Sequence, residues 1–140
     1  MDFDFNYDFA KVLDMEATEV LSAEDIEDGL EPETYPVKVC LSGHVIKRKD
    51  DTAGRHFELE MIEDLIREKA HKFFSITNGT EFGMVNEQGT FGLVGKLYFQ
   101  QKEQQFVYVA YTAIRNVIVD HKTNTEYEKQ VKITRGTIAI

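Results

Sequence analysis

Between Thr80 and Asp120 the chain is built almost entirely of strand-forming residues. "TEFGMVN", "TFGLVGKLYFQ" and "QFVYVAYTAIRNVIVD" are rich in β-branched and aromatic side chains and are separated only by "EQG" and "QKEQ". Such side chains suit a pleated, half-buried surface. Breaks of three or four polar residues leave room for a hairpin and nothing longer. The stretch therefore predicts consecutive antiparallel strands. "HKTNTE" reads as another turn, and "YEKQVKITRGTIAI" as the closing strand. The glycines of "EFGMVNEQGTFGLVG" are spaced for hairpins and bulges, not for a phosphate cradle ahead of a helix. "NGT" at 78–80 matches a glycosylation acceptor, but in this setting it reads as a turn.

One segment before these strands has the opposite periodicity. In "HFELEMIEDLIREKAHKFF", Ile62, Leu65, Ile66, Lys69 and Phe73 share a stripe, and Glu63, Asp64, Arg67 and Glu68 fall on other faces. It is the strongest helix in the sequence. "VKVCLSG" alternates like a short strand, and "HVIKRK" reads as a helical turn. A helix followed by a run of strands gives an α+β domain, with one main amphipathic helix packed on a C-terminal antiparallel sheet.

The charge is divided unevenly. Residues 1–35 hold twelve acids and one base, Lys11, for a net of −11, and residues 36–140 carry +2. The whole-chain net of −9 conceals a mildly basic body with an acidic leader. Within the leader Phe9, Val12, Leu13, Ala17, Val20 and Leu21 fall near helical spacing. Ser22 followed by Asp25 resembles a helix start, and Ile26 and Leu30 extend an apolar face. The reading is one or two short acidic helices, with a boundary in "DGLEPETYP". Two units follow: an acidic helical leader at 1–35 and an α+β domain at 36–140. Such asymmetry points to an acidic segment that contacts a basic surface or a partner. The first residues lack the pattern of a signal peptide, no run is long enough to span a membrane, and Cys40 stands alone. The expectation is a cytoplasmic protein with no membrane contact and no disulfide.

The chemistry-bearing candidates gather in "LSGHVIKRKDDTAGRHFELEMIEDLI" (41–66), which holds two of the four histidines and four of the sixteen Lys and Arg. A neutral imidazole can take a proton near pH 7 and a second group can return one. Arg and Lys can hold a phosphate and stabilise the charge that develops on it. His44, Lys47, Arg48, Arg55 and His56 thus suffice for metal-free RNA cleavage; the plainer reading is a solvated basic loop. On the strand "FVYVAYTAIRN", Tyr111 points away from Tyr108, Ala110 and Thr112. Tyr111 and Arg115 could share a concave face with Lys96, although tyrosine belongs in strands on propensity alone. Metal binding has little support: His56 and Glu60 are four apart, but no recognised ligand pattern is present. Cys40 reads as a small buried thiol, and His71 and His121 as surface residues. No cofactor motif occurs.

The order "LSGHVIKR", "RHFELEMIEDLI", then "VGKLYF" and "VYVAYTAI" resembles the RelE/barnase–EndoU-like ribonuclease superfamily, which includes RelE- and BrnT-type toxins and the phage endoribonuclease RegB. The resemblance spans roughly residues 37–120. Ser42, His44 and Arg48 match its first piece; Arg55 and Phe57 lead into Ile62 and Ile66; Val109–Thr112 stand where its last strand would be. The leader and the closing strand lie outside it. The resemblance implies an endoribonuclease that attacks through the ribose 2′-hydroxyl and leaves a 2′,3′-cyclic phosphate. His44 and His56 would exchange protons, Arg48 and Arg55 would hold the phosphate, and Tyr111 would complete the site. Lys47, Lys96 and Arg115 would contact RNA. The competing expectation is a non-catalytic acidic interaction protein of the immunity, antitoxin or inhibitor kind. That protein would use the leader's carboxylates against a protein partner, or as a nucleic-acid mimic.

Overall fold

The computed structural model describes residues 9–49, 57–115, 132–134, 137–138 and 140; the side chains at 48, 115 and 132–138 are outside the description. The elements run β1 (Lys11–Thr18), α1 (Ala23–Glu27), β2 (Thr34–Leu41), α2 (Gly43–Lys49), α3 (Leu59–Lys69), a 3-10 segment (Ala70–Ser75), β3 (Thr80–Val85), β4 (Phe91–Gln100), β5 (Gln105–Arg115), β6 (Lys132–Thr134) and β7 (Thr137–Ile138). Five strands make one sheet in the order β1-β2-β5-β4-β3, and β6 and β7 pair as a separate antiparallel ribbon. The fold is mixed α+β and mostly sheet. Among the described residues no helix is long and apolar enough to cross a membrane.

β3, β4 and β5 form the expected meander. Its first turn is closed by Asn86, whose side-chain oxygen accepts from the N–H groups of Thr90 (2.9 Å) and Phe91 (3.3 Å). Gly89 takes the left-handed conformation there at φ +71°. Asn78–Thr80 is a turn as expected: Gly79 has φ +85°, and Asn78 accepts from the Phe99 N–H at 3.0 Å.

Two expectations fail, for stated reasons. The sheet is mixed, because β2 pairs with β5 in parallel, from Val37↔Phe106 to Leu41↔Ala110. α2 and α3 carry the chain from β2 to β3 at the far edge, and two hairpins bring it back beside β2 running in β2's own direction. The leader, in turn, is a strand over Lys11–Thr18 where a helix was expected, and among its described residues only Ala23–Glu27 is helical. The apolar residues of Lys11–Thr18 satisfy either period over so short a run. Pairing decides the matter: β1 matches β2 from Lys11↔Leu41 to Thr18↔Thr34 and satisfies backbone groups that would otherwise line an open edge. Leu13, Met15 and Ala17 then turn inward to the core, and Val12, Asp14, Glu16 and Thr18 turn outward. The expected boundary at 35/36 falls inside β2.

The core lies between one face of the sheet and α3 with its 3-10 extension. Ile62, Leu65 and Ile66 are fully buried, each worth roughly 1.5–3 kcal/mol of apolar transfer. Phe73 stacks on Tyr108, with 6.2 Å between ring centroids, and meets Phe106 edge-on at 5.8 Å. Tyr108 is buried with its hydroxyl satisfied, donating to the Phe82 carbonyl at 3.0 Å. Burial holds this phenol well above its usual pKa, so it stays neutral.

β5 leaves no room for a side chain at Gly95 of β4. A Cβ there would lie 2.1 Å from the Val109 carbonyl oxygen and 2.9 Å from the Tyr108 ring. Gly95→Ala should therefore cost roughly 1–3 kcal/mol, the usual range for overpacking. Urea unfolding should show a lower midpoint with an unchanged slope.

Candidate functional site

Ser42 organises the end of the sheet where the histidine segment begins. Its N–H donates to the Ala110 carbonyl at 3.3 Å, and its hydroxyl donates to the Tyr111 carbonyl at 3.1 Å. The same oxygen accepts from the Val45 N–H at 3.2 Å, the contact of a helix N-cap. Val45 is buried, which turns His44 and Lys47 to the exposed side of α2. Sequence, cap and strand pairing together bring α2 against β5, with His44, Lys47 and Tyr111 at one end of the sheet.

Tyr111 is the extra residue of a bulge. Val94 pairs with Thr112 and Gly95 with Ala110, leaving Tyr111 without a partner position on β4. Bulges re-aim side chains. This one leaves Tyr111 39% exposed. Its phenol is raised above the usual pKa, first by partial burial and then by Tyr98 and Glu81. At neutral pH Tyr111 is therefore a hydrogen-bond donor and not a base.

Lys96 sits on the outward face of β4, opposite Glu81 of β3, with its ammonium 6.0 Å from the centre of the Tyr98 ring. Further across this face Lys38 forms an ion pair with Asp14, its register partner on β1. Each described lysine of the outward face thus has a carboxylate beside it. Cys40 lies between, fully buried with Val107 and Val109. Burial pushes its thiol up to about 11, with Lys38 pulling back.

The sequence-derived candidates divide as follows. His44, Lys47 and Tyr111 share one end of the sheet. Lys96 is half-buried on the outward face. Arg48 lies on α2 and Arg115 ends β5, with side chains outside the described set. Arg55, His56 and His121 also lie outside it. His71 is exposed, on the 3-10 segment. Among the described residues no three His, Cys, Asp or Glu side chains gather as a metal ion would require.

Two features escaped the sequence reading. The first is the connection between β1 and β2. Ser22 caps α1 by accepting from the Asp25 N–H at 3.1 Å, and Gly29 closes it at φ +82°. Leu30 N–H then reaches the Asp25 carbonyl (3.0 Å) and Gly29 N–H the Ile26 carbonyl (3.1 Å), the paired bonds of a Schellman ending. This well-capped turn nonetheless buries none of its own residues. Val20, Ile26 and Leu30 are 72%, 62% and 55% exposed. Seven carboxylates and no base accompany them in residues 19–33. The capping signals were legible; the exposure of the apolar face was not. The second feature is an open groove of about 400 Å³ between β1 and α3, lined by Asp14, Met15, Glu16, Thr18, Glu63, Arg67, Ala70 and His71.

The Cys40 environment makes a direct prediction. The thiolate is the reactive form, so alkylation of the native protein at pH 8 should run roughly a hundredfold or more slower than for a free thiol, and denaturation should restore the ordinary rate. The rate should climb with pH toward the thiol's value of about 11. Mass spectrometry of iodoacetamide time courses reads both.

No family model, curated protein or solved structure matches this chain.

Proposed function

We propose that the chain is an interaction protein whose acidic arm, residues 19–33, docks on a basic surface of a partner protein. One observation carries this reading: Val20, Ile26 and Leu30 are exposed within a stretch of seven carboxylates and no base. Three large apolar side chains left exposed on one short connection, among carboxylates, suit a recognition surface. The uniform sign of the rim selects a basic counterpart and repels nucleic acid. The arm also has a fixed shape, since Ser22 and Gly29 hold α1 at both ends.

The test is affinity capture with cross-linking at low and high salt, using the full chain. Wild type should hold a basic protein in a salt-sensitive manner. Ile26→Asp/Leu30→Asp should lose at least tenfold of it while folding normally, since substitutions at such exposed positions usually change stability by no more than about 0.5 kcal/mol. Retention of the same partner by the double variant would overturn the reading.

A second reading is favoured by the Ser42 contacts alone. They tie α2 to β5 and so support His44, Lys47 and Tyr111 as one RNA-contacting set, in line with metal-independent cleavage by 2′-hydroxyl attack. In that reaction His44 would remove the 2′-hydroxyl proton as that oxygen bonds phosphorus, the P–O5′ bond would break with the 5′-oxygen taking a proton from water, and Tyr111, a phenol that stays protonated, would donate a hydrogen bond to a phosphate oxygen. Purified protein incubated with mixed RNA in EDTA should then cleave it. His44→Ala should abolish cleavage, and Tyr111→Phe should reduce it about tenfold or more. Absence of cleavage by the wild type would remove this reading and leave the first untouched.

A further inference from the structure

The outer edge of β1 and the groove beside it add a second element to the acidic surface. In an antiparallel pair, alternate residues turn both backbone groups toward the neighbouring strand. The Glu19 N–H donates to the Glu33 carbonyl at 2.8 Å, and the register continues from there along β1. The odd-numbered residues of β1 therefore bond β2. Val12, Asp14, Glu16 and Thr18 turn their N–H and C=O groups away from the sheet. Among the described residues no backbone group meets them. The opposite edge differs: the Ile140 N–H donates to the Gly83 carbonyl at 2.8 Å, and the Val85 N–H donates to the Ile140 carbonyl at 3.1 Å. Among the described residues one edge of the sheet is covered and the other is open, a template for a further strand.

The groove along that template is acidic. Glu16 and Glu63 line it, as does Arg67, whose guanidinium is already engaged by Asp64 at 3.1 Å and Glu63 at 3.3 Å. Buried Ala70 and half-buried Met15 contribute apolar surface. We propose that β1 accepts an extended, basic segment of a partner protein as a sixth strand. Backbone bonds to Val12, Asp14, Glu16 and Thr18 would supply affinity, and a cationic side chain on the outward face would meet Glu16. A second copy of this chain is a poor occupant. Antiparallel pairing of β1 with β1 would set Asp14 and Glu16 of one copy against those of the other, and like charges directly opposed are destabilising. The groove adjoins the acidic arm, because β1 ends at Thr18 and the arm begins at Glu19. This inference gives the interaction reading its binding mode and rests on it.

The test uses the full chain and a fluorescein-labelled octapeptide of alternating Lys and Val. Anisotropy should show saturable binding at low salt. Hydrogen exchange at the amides of Val12, Asp14, Glu16 and Thr18 should slow at least tenfold in the complex. A version N-methylated at alternate residues should bind at least tenfold more weakly. Glu16→Pro removes one outward N–H without touching the β1–β2 bonds and should lose at least tenfold. Glu63→Lys, a half-buried change on α3 that leaves the β1 backbone in place, reverses a charge beside the groove and should also weaken binding. Ile26→Asp/Leu30→Asp should leave the exchange effect intact, which separates failure of the arm from failure of the edge. The proposal is overturned if the peptide does not bind, if those four amides exchange at unchanged rates in its presence, if the N-methylated peptide binds equally well, or if sedimentation shows β1-dependent dimers.

Discussion

The parallel pairing of β2 with β5 is the joint on which the molecule depends. It is the only contact in the five-strand order that links the N-terminal hairpin to the C-terminal meander. Its five register pairs run through fully buried Val37, Val39, Cys40, Leu41, Tyr108 and Ala110. Parallel pairing is slightly weaker per residue than antiparallel pairing, and it forms between segments some seventy residues apart. Its stability therefore has to come from burial. α3 and the 3-10 segment supply this on one face through Phe73 against Phe106 and Tyr108. Cys40, Val107 and Val109 supply it on the other. Ser42 extends the joint by one more residue and turns it directly into α2. The end of the sheet that carries His44, Lys47 and Tyr111 is thus a consequence of how the two halves of the fold are joined.

What could be read in the sequence follows the range of the interaction involved. The meander, α3 and the turns at Asn78–Thr80 and Asn86–Thr90 are local: hairpin spacing, a stripe of apolar residues and short polar, glycine-bearing breaks. All were visible. The identity of β1 was not, because Leu13, Met15 and Ala17 make so short a pattern that it fits either period, and the choice is made by β2 more than twenty residues later. The parallel β2–β5 pair was invisible for the same reason, since nothing local distinguishes a strand that will pair in parallel. Candidate site residues behaved likewise. That His44 and Lys47 lie on a helical turn, and that Tyr111 points away from Tyr108 and Ala110, could be read from the sequence, whereas the bulge at Tyr111 shows only in the register of β4 on β5.

The charge asymmetry takes on a different meaning once β1 is known to be a strand. A helical leader could have lain over a basic body as a detachable cover. In the fold, eight of its residues are bonded into the sheet edge. Asp14 and Glu16 are therefore held on a sheet strand, and Asp14 is already committed to Lys38. Fixed carboxylates lose less entropy on meeting a partner than carboxylates on a loose tail. They also repel polyanions at long range, and this weighs against RNA reaching the sheet's outward face from the β1 side.

Magnitudes indicate how far the arm could act alone. Burying the exposed parts of Val20, Ile26 and Leu30 would yield about 3–6 kcal/mol, taking roughly 1.5–3 kcal/mol for each fully transferred side chain. Association costs an estimated 4–15 kcal/mol in lost translational and rotational freedom. Exposed ion pairs add only about 0–1 kcal/mol each. An arm of this size therefore steers and orients a partner but does not hold it. The missing affinity has to come from contacts that the arm's neighbours can make. The nearest unsatisfied groups among the described residues are the outward N–H and C=O groups of β1, whose strand runs straight into the arm at Glu19. On this account the edge and the arm act on one ligand: the arm sets the rate of encounter and the edge sets how long the complex lasts.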